Sequence, residues 1–367
     1  MSALADHRID RISTRKLHDH YPRTVGRNAR LGSHGSGGTY TVTVVHTDQG
    51  ASGWGIALGD VDPCQPLVGR RVEDVFDPAL GVTEPTAMPL DLALHDLAGR
   101  LLDQPVYAML GAAGSTTVPC YDAAIYFDDL DPDDDPRGLD AVLANCAADH
   151  ALGHRAFKLK IGRGNRWMAA ADGVARDIEV TRAVRAAYPD ARILVDANDG
   201  YPAERFVDYL EAVADCGLYW IEEPFPETHE DLRRLRGDLK RLGSTALIAD
   251  GEARPDIPLL LDLAAGGLLD VLLMDVVSYG FTAWRQVMPE VVAAGVAASP
   301  HAWGQPLKSL YAAHIAAGLG NVAVVEGVPG HTTGVEPASY HLVEGSIELS
   351  SAPGFGVELS PHEGAHE

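Results

Sequence analysis

Cysteine is scarce in these 367 residues. There are four, Cys64, Cys120, Cys146 and Cys216, and none stands in a C-x-x-C pair. A chain of this length does not need covalent staples. Reduced thiols and a cytoplasmic location are therefore expected, with no disulfide framework. Long apolar runs are missing as well. Nothing reaches the roughly 18 residues of a membrane span, and the opening MSALADHRID lacks the apolar centre of a signal peptide. Positive charge is the third shortage: 29 Lys and Arg stand against 52 Asp and Glu, a formal net charge of −23. That balance argues against nucleic acid or an anionic membrane as partner. It permits a small anionic substrate, because a metal ion and a few lysines reverse the field inside one pocket. There is no G-x-S-x-G elbow and no cysteine-nucleophile motif.

What is present reads as a globular α/β protein, 46% hydrophobic and 22% charged. Its length suits one (β/α) barrel plus a small extra domain. TYTVTVVHT (39–47) alternates as a half-buried strand does, and GASGWGIAL follows as the return arm of a hairpin. HGSGG (34–38) has no helix signal after it and reads as a loop rather than a phosphate cradle. Leu90, Leu92, Leu94, Leu97, Leu101 and Leu102 give residues 84–110 an apolar helical face, interrupted at Pro105.

From about residue 117 short apolar runs recur, each followed by a helical pattern. They are VPCYDA (118–123), FKLKI (157–161), ILVDAN (193–198), LYWIEE (218–223), ALIADGE (246–252), VLLMD (271–275), VAASPH (296–301) and VAVVE (322–326). Near-continuous apolar strands alternating with helices imply a parallel sheet covered by helices. Eight units at this spacing favour a closed barrel over an open doubly wound sheet. DDLDPDDDPR (128–137) lacks the spacing of a calcium loop and reads as a solvated loop. Beyond residue 327 the chain is rich in Gly and Pro, with a strand-like SIELS (346–350), and this tail is expected to return and pack on the N-terminal domain.

The polar residues concentrate at the C-terminal ends of the strands. Lys158 and Lys160 close the second, Asp196 and Asn198 the third, Glu222 and Glu223 the fourth. Glu252 closes the fifth, Asp275 the sixth, His301 the seventh and Glu326 the eighth. In a barrel these ends form one ring at the mouth where active sites lie. A ring of buried charge is costly without a cation or substrate to compensate it. Asp196, Glu222 and Glu252 suit a hard cation, Mg²⁺, better than zinc, since no His or Cys joins them. Lys158 and Lys160, two apart on a strand, share a face. Two ammonium groups held together are expected to lower each other's pKa, freeing one as a base. Asp275 beside His301 fixes and tunes an imidazole.

These pieces resemble one family. KLK (158–160), VDAN (195–198), WIEEP (220–224), DGE (250–252), MDVVSYG (274–280) and SPHAWG (299–304) are similar to the mandelate racemase branch of the enolase superfamily. ALHDLAGRLLDQPVYAMLG (93–111) resembles the helix that closes that family's capping domain, so the likeness spans about residues 10 to 360. It implies a modified (β/α)7β barrel over 117–326, an α+β capping domain over 1–116, and a segment, 327–367, returning to the cap. It implies Mg²⁺ on Asp196, Glu222 and Glu252, with Asp250 as the lesser alternative to Glu252. Lys160 then resembles the base on one face of the substrate and His301 with Asp275 the acid/base on the other. Lys158 and Glu326 resemble the groups at the substrate carboxylate, and Asn198 the one at its 2-hydroxyl.

The chemistry so implied removes the proton α to a carboxylate, giving an enediolate whose charge a metal and a lysine stabilise. Loss of the 3-hydroxyl then makes a 2-keto-3-deoxy acid, and this dehydration of a sugar acid is the favoured outcome. Reprotonation on the other face, racemisation or epimerisation of a 2-hydroxy acid, is the alternative. Cycloisomerisation fits less well, since that branch uses a sixth-strand lysine. A non-catalytic metal- or acid-binding relative would have lost a ring residue, and none is missing. A glycoside hydrolase using Glu222 and Glu252 would leave the lysines unexplained. Arg27, Arg30 and His34 are candidates for a loop over the mouth, with a solvated basic stretch as the competing reading. The expected partners are a small carboxylate and further copies of the same chain.

Overall fold

Antiparallel pairing comes first along the chain. In the computed structural model, which describes residues 3–252 and 254–361, Ile9–His20 pairs with Thr39–Thr47 and that strand with Ser52–Ile56. Val42 and Val45, three apart, point to opposite faces of the second strand, and each is buried in a different apolar cluster. The helix Asp91–Leu101 lies directly on the third strand. A Cβ on Gly53 would stand 2.2 Å from the Leu97 nitrogen, and one on Gly55 2.5 Å from the Leu92 Cβ. Glycine is what permits that approach.

The helical stretch expected over 84–110 is three pieces: a 3-10 turn Pro85–Leu90, the helix Asp91–Leu101, and a short helix Val106–Met109. Proline explains both divisions. Pro89 has no N–H for an α-helical bond, and Pro105 caps the last piece after Asp103 turns the chain at φ 52°.

The mixed α/β body is built on eight parallel strands: Thr117–Ile125, Ala156–Lys160, Arg192–Asp196, Trp220–Glu222, Leu247–Asp250, Val271–Leu272, Ala297–Ala298 and Val325–Gly327. Each of the first six pairs with the next in chain order. The eighth pairs with the first, and a parallel bridge from Ala298 to Val322 joins the seventh to the chain entering the eighth. Hydrogen bonding thus runs right round the ring. Period-two alternation sorts the side chains. Phe157, Leu159, Ile193, Val195 and Ile221 pack with the surrounding helices, whereas Ala156, Leu194, Trp220, Ala249 and Val271 form a separate cluster within the ring. Lys158, Lys160, Asp196 and Glu222 share the parity of this inner set.

Within the tail, Ser346–Glu348 pairs antiparallel with Thr117–Pro119, extending the first ring strand. The chain on either side of it does return. His331–Thr333 pairs with His18–His20, and Trp54 Nε1 donates to the Val357 carbonyl (3.2 Å). DDLDPDDDPR is solvated only in part. Asp128 and Asp129 are buried, Asp129 against the guanidinium of Arg163 (2.7 Å) and Asp128 against Asn145 (2.9 Å). A run of charge cannot reveal a partner 34 residues away.

Candidate active site

Ligand oxygens of Asp196, Glu222 and Glu252 lie within 4.8 Å of one another, the one group of its kind among the described residues. Strand geometry brings the first two together, since Asp196 and Glu222 are register partners on adjacent ring strands. Glu252 follows from the loop after the fifth strand, and Gly251, at φ 106°, turns the chain to deliver it. Glu222 Oε2 and Glu252 Oε2 are buried yet meet no hydrogen-bond donor. Such orphaned acceptors are costly unless something else fills their lone pairs. With Glu326 the cluster gathers four carboxylates around the ammonium groups of Lys158 and Lys160, a concentration of acceptors that a cation would offset, and an all-oxygen donor set suits Mg²⁺. Asp250, the alternative ligand, is also buried, with Oδ1 accepting from the Gly251 N–H (2.7 Å) and Oδ2 likewise without a donor, but it lies outside the three-carboxylate group.

The two lysines meet at one oxygen, Asp196 Oδ2, and each is paired with acceptor side chains rather than with the other ammonium. Lys158 Nζ reaches Glu222 (2.6 Å), Glu326 (2.8 Å) and Asp196 (3.3 Å). Lys160 Nζ donates to Asp196 and to Asn198 Oδ1 (3.0 Å). Mutual pKa lowering is therefore wrong for Lys158. Burial alone would lower it, but Glu222 and Glu326 outweigh burial and hold the ammonium well above the ordinary lysine range. Burial would likewise raise Asp196, but Lys160 and Lys158 keep it well below the usual carboxylate range. Glu222 goes the other way, pushed up by burial and by the neighbouring Asp196.

The imidazole meets the cluster at Glu252 and Glu326. His301 Nδ1 donates to Asp275 Oδ2 (2.8 Å), an assignment that leaves Nε2 facing Glu252 (3.4 Å) and Glu326 (3.6 Å). Backbone N–H groups of Val277 (3.0 Å) and Ser278 (2.8 Å) hold Asp275 Oδ1. Burial opposes a charge on His301, but the surrounding Glu252, Glu326 and Asp275 prevail and raise its pKa. Glu326 Oε2 accepts from the Ala302 N–H (2.6 Å), so the eighth-strand carboxylate is braced by the seventh-strand loop.

Sequence reasoning missed Lys308, whose Nζ donates to Asp275 Oδ2 and to the Trp303 carbonyl (2.8 Å). It sits in the first turn of the helix Pro306–Leu319, not at a strand end. The aromatic wall beside Lys160 was also missed. Tyr126 lies 5.2 Å from the Lys160 ammonium and packs on Trp303 (4.8 Å between centroids). Of the loop candidates, His34 packs on Tyr126 (4.7 Å), and Arg30 donates to the Asn198 carbonyl (2.6 Å) at the rim. Arg27 is tied instead to Asp131 and Asp133 of the acidic loop. Two cavities open on this region. One of about 450 Å³ is lined by Glu252, Asp275, His301 and Lys308. The other, about 520 Å³, is lined by Asn28, Asn198, Asp250 and Glu252.

The arrangement has counterparts in known proteins. A family model described as enolase C-terminal domain-like matches residues 141–363. Galacturonate dehydratase from Geobacillus sp., solved with D-galacturonate and 5-keto-4-deoxy-D-galacturonate, matches at a TM-score of 0.90 and 31% identity. That match covers 97% of this chain and 95% of the other. A point mutant of a Geobacillus sp. galacturonate dehydratase, solved with Mg, matches at 0.91 with 31% identity over 97% of this chain and 93% of its own. D-galactarolactone cycloisomerase of Agrobacterium fabrum is 24% identical over 364 residues, 88% of this chain and 89% of that protein. The hydrophobic dipeptide epimerase of Enterococcus faecalis is 26% identical over 209 residues, 56% of this chain and 52% of its own. With its family model matched and its strand-end groups gathered at one mouth, the chain belongs to the enolase superfamily, in the mandelate racemase branch.

Proposed function

We propose that this protein is a Mg²⁺-dependent hydro-lyase that dehydrates a sugar acid to a 2-keto-3-deoxy acid. The observation that carries the reading is the placement of an amine and an imidazole around one carboxylate cluster, and we read them as the two proton-transfer groups. Lys160 lies on the Asp196–Asn198 side and His301, with Asp275, on the Glu252–Glu326 side. In this reading residues 117–326 are a modified (β/α)7β barrel. Residues 1–116 and much of 327–367 form the cap over its mouth, and the protein acts in the cytoplasm as a homo-oligomer.

Asp196, Glu222 and Glu252 would hold Mg²⁺, which when bound supplies Lewis-acid stabilisation of negative charge on the substrate carboxylate. Lys158, kept charged by Glu222 and Glu326, offers an ammonium to a carboxylate oxygen as charge develops there. Asn198 orients the 2-hydroxyl. A base, Lys160 or His301 in its neutral form, takes the α proton, and the electron pair passes into the carboxylate as an enediolate. Its collapse expels the β-hydroxyl, which leaves as water once His301 has given it a proton. The resulting enol takes a proton at the β carbon and becomes the keto acid. Tyr126, Trp303 and His34 form an aromatic wall on the Lys160 side that keeps bulk water away.

D-galacturonate is the first acid to test. Counted from the carboxylate, the 5-keto-4-deoxy compound in the Geobacillus structure is a 2-keto-3-deoxy acid. A panel should join it: galactarate, D-galactonate, L-rhamnonate, D-xylonate and tartrate, each with Mg²⁺, read for keto-deoxy product and for deuterium uptake at the α carbon in D₂O. Product that vanishes on chelation and returns with Mg²⁺ is the expected result. No product and no exchange with any acid would sink the proposal. Exchange without product would favour the second reading, epimerisation, which the presence of two bases also allows.

A further inference from the structure

Lys308 is a buried cation to which the mechanism above assigns no task. Its side chain is almost wholly enclosed. It stands in the first turn of the helix Pro306–Leu319, where the helix dipole disfavours positive charge. Something must compensate both penalties, and Asp275 does. The Lys308 ammonium donates to Asp275 Oδ2, the same oxygen that accepts from His301 Nδ1 (2.8 Å). With the Val277 and Ser278 N–H groups on Oδ1, four donors converge on this one carboxylate. A carboxylate so surrounded has no freedom to rotate, and the imidazole bonded to it inherits that rigidity. Lys308 also donates to the carbonyl of Trp303, two residues beyond His301 (2.8 Å). It therefore grips the histidine's partner and the histidine's own loop at once.

We propose that Lys308 is a positioning residue for His301, acting through Asp275 and the Trp303 carbonyl to keep Nε2 aimed at the reacting carbon and its leaving hydroxyl. This rests on the reading of His301 as a proton-transfer group. The competing role is a stabilising ion pair between the helix and the sixth strand, which would show in folding and leave the imidazole unchanged.

The test compares Lys308→Met, Lys308→Arg and His301→Asn in the full-length, Mg²⁺-loaded protein. With ¹⁵N-histidine labelling, the His301 Nδ1–H resonance is identified by its loss in His301→Asn. Lys308→Met should shift or broaden it while leaving Mg²⁺ affinity unchanged, and Lys308→Arg should restore it. With the panel acid that is turned over, Lys308→Met should lower kcat by about 100-fold with KM nearly unchanged, as loss of a general acid does. A His301 resonance and a kcat that stay at wild-type values in Lys308→Met would overturn the proposal. If His301→Asn itself leaves turnover intact, the catalytic reading has failed instead, and the resonance still decides the positioning claim. Should Lys308→Met not fold, Lys308→Gln, which keeps a donor for Trp303 without the charge, carries the same comparison.

Discussion

Glu252 is the most exposed of the three clustered carboxylates and comes from a loop, so it is the one to remove with least damage to the ring. Glu252→Gln keeps its size and discards its charge. We expect Mg²⁺ affinity by calorimetry to fall by about 100-fold, or about 2.7 kcal/mol, with the unfolding transition of the metal-free protein little changed. In the proposed mechanism His301→Asn separates the two bases. It should abolish dehydration, a loss of about 10²–10⁴ in kcat. Deuterium exchange at the α carbon should survive for any acid whose proton faces Lys160. Lys160→Met should show the reverse pattern. A single variant that eliminates exchange from acids of both configurations would mean that one group serves both faces.

Contact between elements sets two further expectations. The strand Ser52–Ile56 is seated against the helix Asp91–Leu101 with no room for a methyl group at residue 53. Gly53→Ala should therefore destabilise the fold by about 1–3 kcal/mol through overpacking, read in the denaturation midpoint. The helix Pro306–Leu319 carries His314 in its fully buried middle. Its Nδ1 accepts from the Tyr107 N–H (3.2 Å), its Nε2 donates toward the Phe355 carbonyl (3.3 Å), and burial pushes its pKa down to about 3. The unfolded chain, with an ordinary histidine, binds the proton between about pH 6.5 and 3 where the folded one refuses it. Stability is thus complete above that window and declines as pH falls through it, by up to about 1.4 kcal/mol per pH unit from this group. His314→Gln should flatten the acid limb of the stability curve. An unaltered limb would assign acid sensitivity to other groups.

Over the whole molecule the dominant fact is acidity, −23 in net charge, with a knot of carboxylates at the mouth of the ring. A cation bound only by the folded state stabilises it by mass action, about 2.7 kcal/mol at a hundred times the dissociation constant. Mg²⁺ should accordingly raise the melting temperature by several degrees in a concentration-dependent manner, and chelation should reverse the rise. A melting temperature indifferent to Mg²⁺ would count against a cation site among Asp196, Glu222 and Glu252.

Much of this architecture was legible because it obeys local periodicities. A buried parallel strand must be apolar along its length, so FKLKI, ILVDAN and LYWIEE stood out against amphipathic helices. Alternation of side chains put Lys158 and Lys160 on one face of their strand, and the strand-end positions of Asp196 and Glu222 put them at the same mouth. Long-range partners are not periodic, and tertiary structure alone decided them. Lys308 belongs to Asp275 because a helix start happens to face a strand end 33 residues away. Arg163 buries Asp129 for the same kind of reason, and Ser346–Glu348 joined the first ring strand because Thr117–Pro119 offered a free edge. Lys158 took its charge state from Glu222 and Glu326 on other strands, not from its sequence neighbour Lys160. Identity and pleat determined which groups face the mouth. The distances that set their protonation and orientation arise only when eight strands close on one another, because Coulomb and hydrogen-bond energies depend on separation in space and not along the chain.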